Sequence, residues 1–120
     1  MAEIDEVRKA TCDFRAARGA KITYHETDPG TTGANLIATT PASATTVWPG
    51  AVIAGNGAYA ESVGAQVVLN VPPGKTVGWV GVWNGTQFIR GYPLDGGGIT
   101  IGAAAVPVAV TPRCRYAGNT

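Results

Sequence analysis

The sequence predicts an all-β protein: an antiparallel β-sandwich of jelly-roll character, preceded by one short N-terminal α-helix. Three observations predict it. Apolar residues alternate with polar ones in short runs through most of the chain. Gly, Pro and Asn turn signals separate those runs at intervals of roughly eight to twelve residues. The one stretch with helical spacing lies at the front. The chain therefore divides into a docking helix over residues 1–19 and a β body over residues 20–120, with about seven or eight strands.

The helix is expected over residues 3–18. Ile4, Val7, Thr11 and Phe14 recur at steps of three and four, with Ala10 and Ala17 beside them. Glu3, Asp5 and Glu6 fall in the first turn and Arg15 and Arg18 in the last, an order that suits the helix dipole. Gly19 is a natural stop. The apolar face is thin, so this helix must dock on something larger. Ile4, Val7 and Phe14 are its candidate contact residues.

Beyond Gly19 the period changes to that of strands. Residues 21–27 place Ile22 and Tyr24 on one face and Thr23 and His25 on the other. Asp28-Pro29-Gly30 is a turn, and the loop continues to Asn35. Residues 45–48 form a short strand closed by Pro49-Gly50. Residues 51–63 carry no clear period, but Asn56-Gly57 marks a hairpin turn. Residues 66–71 alternate, with Val67, Leu69 and Val71 on one face, and Pro72-Pro73-Gly74 ends them. Residues 76–83 form the strongest strand. Val77, Trp79 and Trp83 share one face and Val80 and Val82 the other, so both faces need cover. Asn84-Gly85 is a hairpin turn into residues 87–94. Asp95-Gly96-Gly97-Gly98 is a flexible turn, residues 99–103 a strand, and residues 106–116 the last strand.

Composition narrows the function. A chain of 120 residues is one domain's worth. A net charge of +1 provides no field that would draw it to nucleic acid or to anionic lipid. Charged residues make up 14%, well under the usual quarter. They are also unevenly placed: beyond residue 28 only Glu61, Lys75, Arg90, Asp95, Arg113 and Arg115 remain. A neutral surface of Thr, Gly, Ala and Asn implies cover by copies of the chain or by partners. A homo-oligomer, a trimer by preference, is the expected assembly. The front carries no apolar secretory core and no run reaches membrane length, so synthesis in the cytoplasm without membrane insertion is expected.

The residues of ordinary catalysis form no constellation. His25 neighbours Glu26 and Asp28, but adjacent strand residues point to opposite faces. Asp28, Glu61 and Asp95 lack the context of a glycosidase pair. No hydrolase, zinc, phosphate-loop or dinucleotide motif is present. The expectation is a non-enzyme without catalytic residues, metal or cofactor. Cys12 and Cys114 would meet if the front of the chain packed beside the last strand; they read as two small buried apolar groups.

Aromatic and basic residues offer more. Trp79 and Trp83 flank Gly81 on one strand face, and Tyr92 would approach from the paired strand. Such a row fills a core, makes a subunit contact or stacks on sugars. Arg113 and Arg115 share a face of the last strand. They would clamp an acidic partner or keep a strand edge solvated, and Arg90 stands apart from them.

One string is more specific than these patterns. His25-Glu26-Thr27-Asp28-Pro29-Gly30-Thr31-Thr32-Gly33-Ala34-Asn35 resembles the signature HTADPGTTGANE of a family of small bacteriophage minor-tail and virion structural proteins. Residues 66–74 (QVVLNVPPG) are similar to that family's VTFNVPAG. Residues 76–85 (TVGWVGVWNG) are similar to its TVTHVGFWDA, and residues 87–94 with the C-terminal strand to its closing pair. The resemblance spans roughly residues 20–116. It implies a non-enzymatic virion component, associated with the tail tip or fibre. Its partners would be copies of itself, neighbouring virion proteins and a host-surface glycan reached through loops 28–35 and 95–98. The charged N-terminal helix and Arg113-Cys114-Arg115-Tyr116 depart from the family pattern and leave the position in the virion open. A head decoration protein and a carbohydrate-binding module are the alternatives.

Overall fold

The computed structural model describes residues 4–118, with principal extents of 48 × 28 × 23 Å. The chain is mostly β behind one helix. In order it forms α1 (Asp5–Ala16), β1 (Lys21–His25), β2 (Ala44–Thr45), β3 (Val52–Ala54), β4 (Tyr59–Val63) and β5 (Val67–Val71). Then follow β6 (Thr76–Val77), β7 (Trp79–Asn84), β8 (Gln87–Pro93), β9 (Ile99–Thr100), β10 (Val106–Val110) and β11 (Arg113–Tyr116). All named pairings are antiparallel, in sheets ordered β2-β1-β7-β8, β10-β5, β11-β4-β3 and β6-β9.

The main core takes alternate residues from several sheets. Ile22 and Tyr24 of β1 and Val80 and Val82 of β7 meet Val67, Leu69 and Val71 of β5 and Val108 and Val110 of β10. Ile37, Val77 and Ile101 complete it. Tyr24 crosses this core, and its hydroxyl donates to Val108 O at 2.7 Å. Full burial pushes that phenol up to about 12. The segment between β1 and β2 ties the two sides together. Ile37 N donates to Tyr24 O at 3.0 Å, and Thr40 and Asn70 exchange two backbone hydrogen bonds of 3.0 Å.

A second, smaller core lies under the helix. Cys12, Ala16, Ala60 and Cys114 form it, with Trp48, Ala51, Ile53 and Tyr116 packed around. Here the helix corrects the sequence expectation. Its buried stripe is Arg8, Cys12 and Ala16, while Ile4 and Phe14 are 68% and 67% exposed and Val7 40%. Arg8 is tolerated inside because its guanidinium donates to Gly57 O at 2.8 Å and to the Asp5 carboxylate at 2.6 Å. Asp13 accepts from Ala51 N at 2.7 Å, a further tie between α1 and the body. The helix ends at Ala16, before the expected residue 18, and Glu3 lies outside the described residues. Gly19 serves a different need from the expected helix stop: a Cβ there would stand 2.6 Å from Trp83 O.

Several expected strands are split or shortened. The run 76–83 breaks at Gly78, whose N–H donates to His25 O at 3.0 Å. Because of that break Val77 joins Val80 and Val82 in the core, rather than sharing a face with Trp79 and Trp83. The run 106–116 breaks at Thr111-Pro112, where β10 leaves one sheet and β11 enters another. Proline cannot donate to a ladder, so the break falls where the sequence allows it. The ambiguous 51–63 stretch is a hairpin, β3 to β4. Asn56 (φ 58°) and Gly57 (φ 86°) occupy the left-handed region that its tip requires. Residues 45–48 retain only the two-residue β2, 99–103 only β9, and 21–27 end as a strand at His25.

The β5 alternation is a direct test of this packing. Leu69→Ala should cost about 3 kcal/mol in denaturant unfolding. Val68→Ala, on the half-exposed face of the same strand, should stay within about 0.5 kcal/mol.

Candidate functional site

The HETDPGTTGAN string folds as a closed cover over the outer face of β1 and β7. Gly30 N donates to Asp28 Oδ1 at 2.8 Å, an Asx turn that starts the loop. Gly33 N and Ala34 N both donate to Pro29 O, at 3.1 and 3.0 Å. Asn35 sits at φ 61°, and its side-chain amide donates to Asp28 O at 3.0 Å. Glu26 N then donates to Asn35 O at 3.1 Å and shuts the loop at its base. Pro29 is buried while most of the loop's outer rim is exposed.

The loop lies close enough to the sheet to exclude side chains. A Cβ on Gly33 would stand 2.4 Å from the Trp83 ring, and one on Gly91 2.5 Å from Pro29 Cγ. A Cβ on Gly81 would meet His25 Nε2 at 2.5 Å. Glycine is therefore required at these positions by contact with the covered side chains.

Under the cover runs a complete hydrogen-bond chain. The indole Nε1–H of Trp83 donates to Thr23 Oγ1 at 2.7 Å. Thr23 Oγ1 is 2.7 Å from His25 Nε2, and His25 Nδ1 is 2.8 Å from Ala34 O. Indole can only donate and carbonyl can only accept, so the donor order follows. The Thr23 hydroxyl donates to Nε2, and His25 is the neutral tautomer carrying its proton on Nδ1. Burial pushes the imidazole below its ordinary value, against a smaller opposing effect from the Ala34 carbonyl. His25 diverges from Glu26, which pairs with Lys75 at 3.2 Å on the surface. Both ring nitrogens are thus engaged with neutral groups, Thr23 Oγ1 and Ala34 O. Among the described residues no group of three or more His, Cys, Asp or Glu could hold a metal ion.

The expected aromatic row divides between two faces. Trp83 packs edge-on to Phe88 at 5.1 Å under the loop, with Lys21 over its ring at 5.5 Å. Trp79 pairs with His25 and with Pro93 in the ladder, half-buried on the same face. Tyr92 pairs with Val80 instead, so it packs on the main core on the opposite face. Its hydroxyl accepts from Arg113 N at 2.9 Å.

The arginines of β11 are engaged with carboxylates of this chain. Arg113 grips Asp95 with two hydrogen bonds of 3.1 and 3.0 Å, and its guanidinium lies 4.5 Å over the Tyr92 ring. Arg113 holds the Asp95 carboxyl below its usual range. Arg115 bonds Glu61 and covers the Tyr59 ring at 4.7 Å. Arg90 stood apart from this pair in sequence, yet its Nη1 donates to Arg113 O at 3.3 Å. Its guanidinium lies near the Trp48 and Tyr92 rings at 5.6 and 5.8 Å. The 95–98 turn, Ile99, Tyr92, Leu94, Arg113 and residues 109–111 line a cleft of about 360 Å³.

The outer face of α1 carries a group of exposed apolar residues. Glu6, Val7, Ala10, Thr11 and Phe14 line an open groove there, with Ile4 exposed on the same helix. The sequence singled out this stripe by its spacing. It did not reveal Arg8, Trp48 or Arg90 as structural centres, because each has a partner at least 23 positions away.

The His25 environment predicts a pH response. The folded state resists protonation of His25, so the unfolded state binds more protons below its ordinary value of 6.5. Stability should be full above that pH and fall as pH is lowered below it. His25 is the one histidine of the chain. His25→Gln should be less stable at pH 7.5 and show a flat profile across that window in urea unfolding; a slope equal to that of the unsubstituted protein would show that His25 is not the titrating group.

No family model, curated protein or solved structure matches this chain.

Proposed function

We propose that this chain is a non-enzymatic virion structural protein of a tailed bacteriophage, associated with the tail tip or fibre and acting by assembly. On this reading the two sides of the main core are the layers of an antiparallel β-sandwich with jelly-roll character. The observation that carries the reading is the HETDPGTTGAN string of residues 25–35, with its likeness to the signature of small phage tail proteins. The conformation of that string supports a scaffold reading over a reactive site: Asp28 and Asn35 close the loop, and the His25 ring nitrogens are taken up by Ala34 O and Thr23.

Assembly needs a surface, and α1 supplies one. Its body-facing stripe is filled by the second core, while Ile4, Val7 and Phe14 stay exposed on a helix whose fold does not need them. Exposed apolar groups grouped on one helix face mark contact sites. Around the neutral body, copies of the chain would form a closed homo-oligomer, a trimer by preference, and α1 would reach a neighbouring virion protein. Glycan stacking is the weaker reading. Trp83 is held beneath the motif loop, and Tyr92 faces the core rather than joining the two tryptophans.

Immunogold labelling of phage particles tests the location. Gold at the tail end is expected. Gold over the head would move the protein to the decoration class, and unlabelled particles beside protein in the lysate would overturn the virion reading. The helix is tested separately by the triple substitution Ile4→Ser, Val7→Ser and Phe14→Ser. Stability should change by only about 0.5 kcal/mol per site, whereas incorporation into particles should drop at least tenfold. Normal incorporation would remove α1 from the contact.

A further inference from the structure

Cys12 and Cys114 lie 102 positions apart and meet in the centre of the second core. They are 0% and 1% exposed and are free thiols. The Cys12 thiol donates to Cys114 O at 3.2 Å, and Cys114 Sγ lies 3.9 Å from Cys12 O. The two side chains also interact directly with one another. Ala16 and Ala60 are the other two buried members of this cluster, and both are small.

A second observation concerns Arg90, which donates to Arg113 O, the carbonyl of the residue before Cys114. Its Nε and Nη2 are buried without a hydrogen-bond partner, and among the described residues no carboxylate pairs with it. A buried cation without a carboxylate is costly as architecture. Its contact with Arg113 brings this cation to the stretch of β11 that carries Cys114, and a nearby cation favours the negative charge that develops on sulfur during exchange.

We propose that Cys12 and Cys114 form a latent cross-link, closed by exchange with a small disulfide of the glutathione type, that fastens α1 to β11. One cysteine loses its proton, and its sulfur attacks a sulfur of glutathione disulfide. The glutathione S–S bond breaks and one glutathione thiolate leaves, taking up a proton. The second cysteine, deprotonated in turn, attacks the protein-bound sulfur of the mixed disulfide. The Cys12–Cys114 bond forms and the second glutathione leaves with the second proton. The protein is oxidised by two electrons and glutathione disulfide is reduced by two. Burial and the neighbouring Cys114 hold the Cys12 thiol up at about 11, so the reaction is slow and proceeds when α1 opens locally. The bond closes a loop of about 100 residues and withdraws freedom from the unfolded chain.

The test uses the intact chain, incubated with glutathione disulfide and then denatured and alkylated. The expected mass is that of the chain less two hydrogen atoms, with no glutathione and no alkyl group attached. The oxidised protein should remain monomeric on a non-reducing gel and melt roughly 10 °C higher, reversibly with dithiothreitol. Cys114→Ala should take up at most one glutathione and show no such rise. Two alkylated cysteines, stable glutathione adducts on the unsubstituted chain, or disulfide-linked dimers would each overturn the proposal. The mass measurement on the unsubstituted chain decides the matter even if the variant does not fold.

Discussion

Burial of β1 on both faces obliges the rest of the chain to supply two different covers. Towards the main core, Ile22 and Tyr24 meet the apolar sides of β5 and β10. Apolar contact needs no direction, and Tyr24 adds a directed bond, its hydroxyl on Val108 O. Towards the other side stand Thr23 and His25, both buried and both polar. Burying such groups unpaired costs a few kcal/mol each. The cover on that side therefore has to be chemically specific, and it is: a donor from Trp83, an acceptor from Ala34, and a loop shaped to hold them.

This constraint explains why residues 25–35 have the composition they do. Asp28 and Asn35 set and shut the turn, Pro29 fills the contact with Gly91, and Gly33 lets the backbone lie on the Trp83 ring. These residues each have a local physical reason in packing and hydrogen bonding.

The charges outside the helix follow the same economy. Asp95 and Glu61 neutralise Arg113 and Arg115 next to the aromatic rings of Tyr92 and Tyr59. Exposed ion pairs contribute at most about 1 kcal/mol each, so their larger effect is to fix β11 against β4 and the 95–98 turn. With these pairs satisfied, the body presents few free charges. Exposed apolar residues lie on the outer face of α1, which packs on the second core through its opposite stripe, and also on the body, at Val47, Val52 and Val68 among others.

Local patterns in the sequence determined the strand-rich class, the front helix, the Asn56-Gly57 turn, the hairpin after Asn84 (whose two turn residues are Gly85 and Thr86, one position on from the expected pair), and the alternation that buries Val67, Leu69 and Val71. These depend on periodicity and on turn chemistry within a few residues. Tertiary structure alone decided which helix face is buried. A stripe of Arg8, Cys12 and Ala16 is not apolar by sequence; it becomes an inner face because Gly57 O caps the arginine and Ala60 leaves room for the thiol. It also decided that Val77 crosses to the core at the Gly78 break, that Tyr92 leaves the tryptophan face, and that Arg90 joins Arg113. Each of these outcomes depends on a strand pairing or a backbone carbonyl distant in the chain. A window of local sequence carries the period of a strand, but it cannot carry the identity of the atom waiting on the other side.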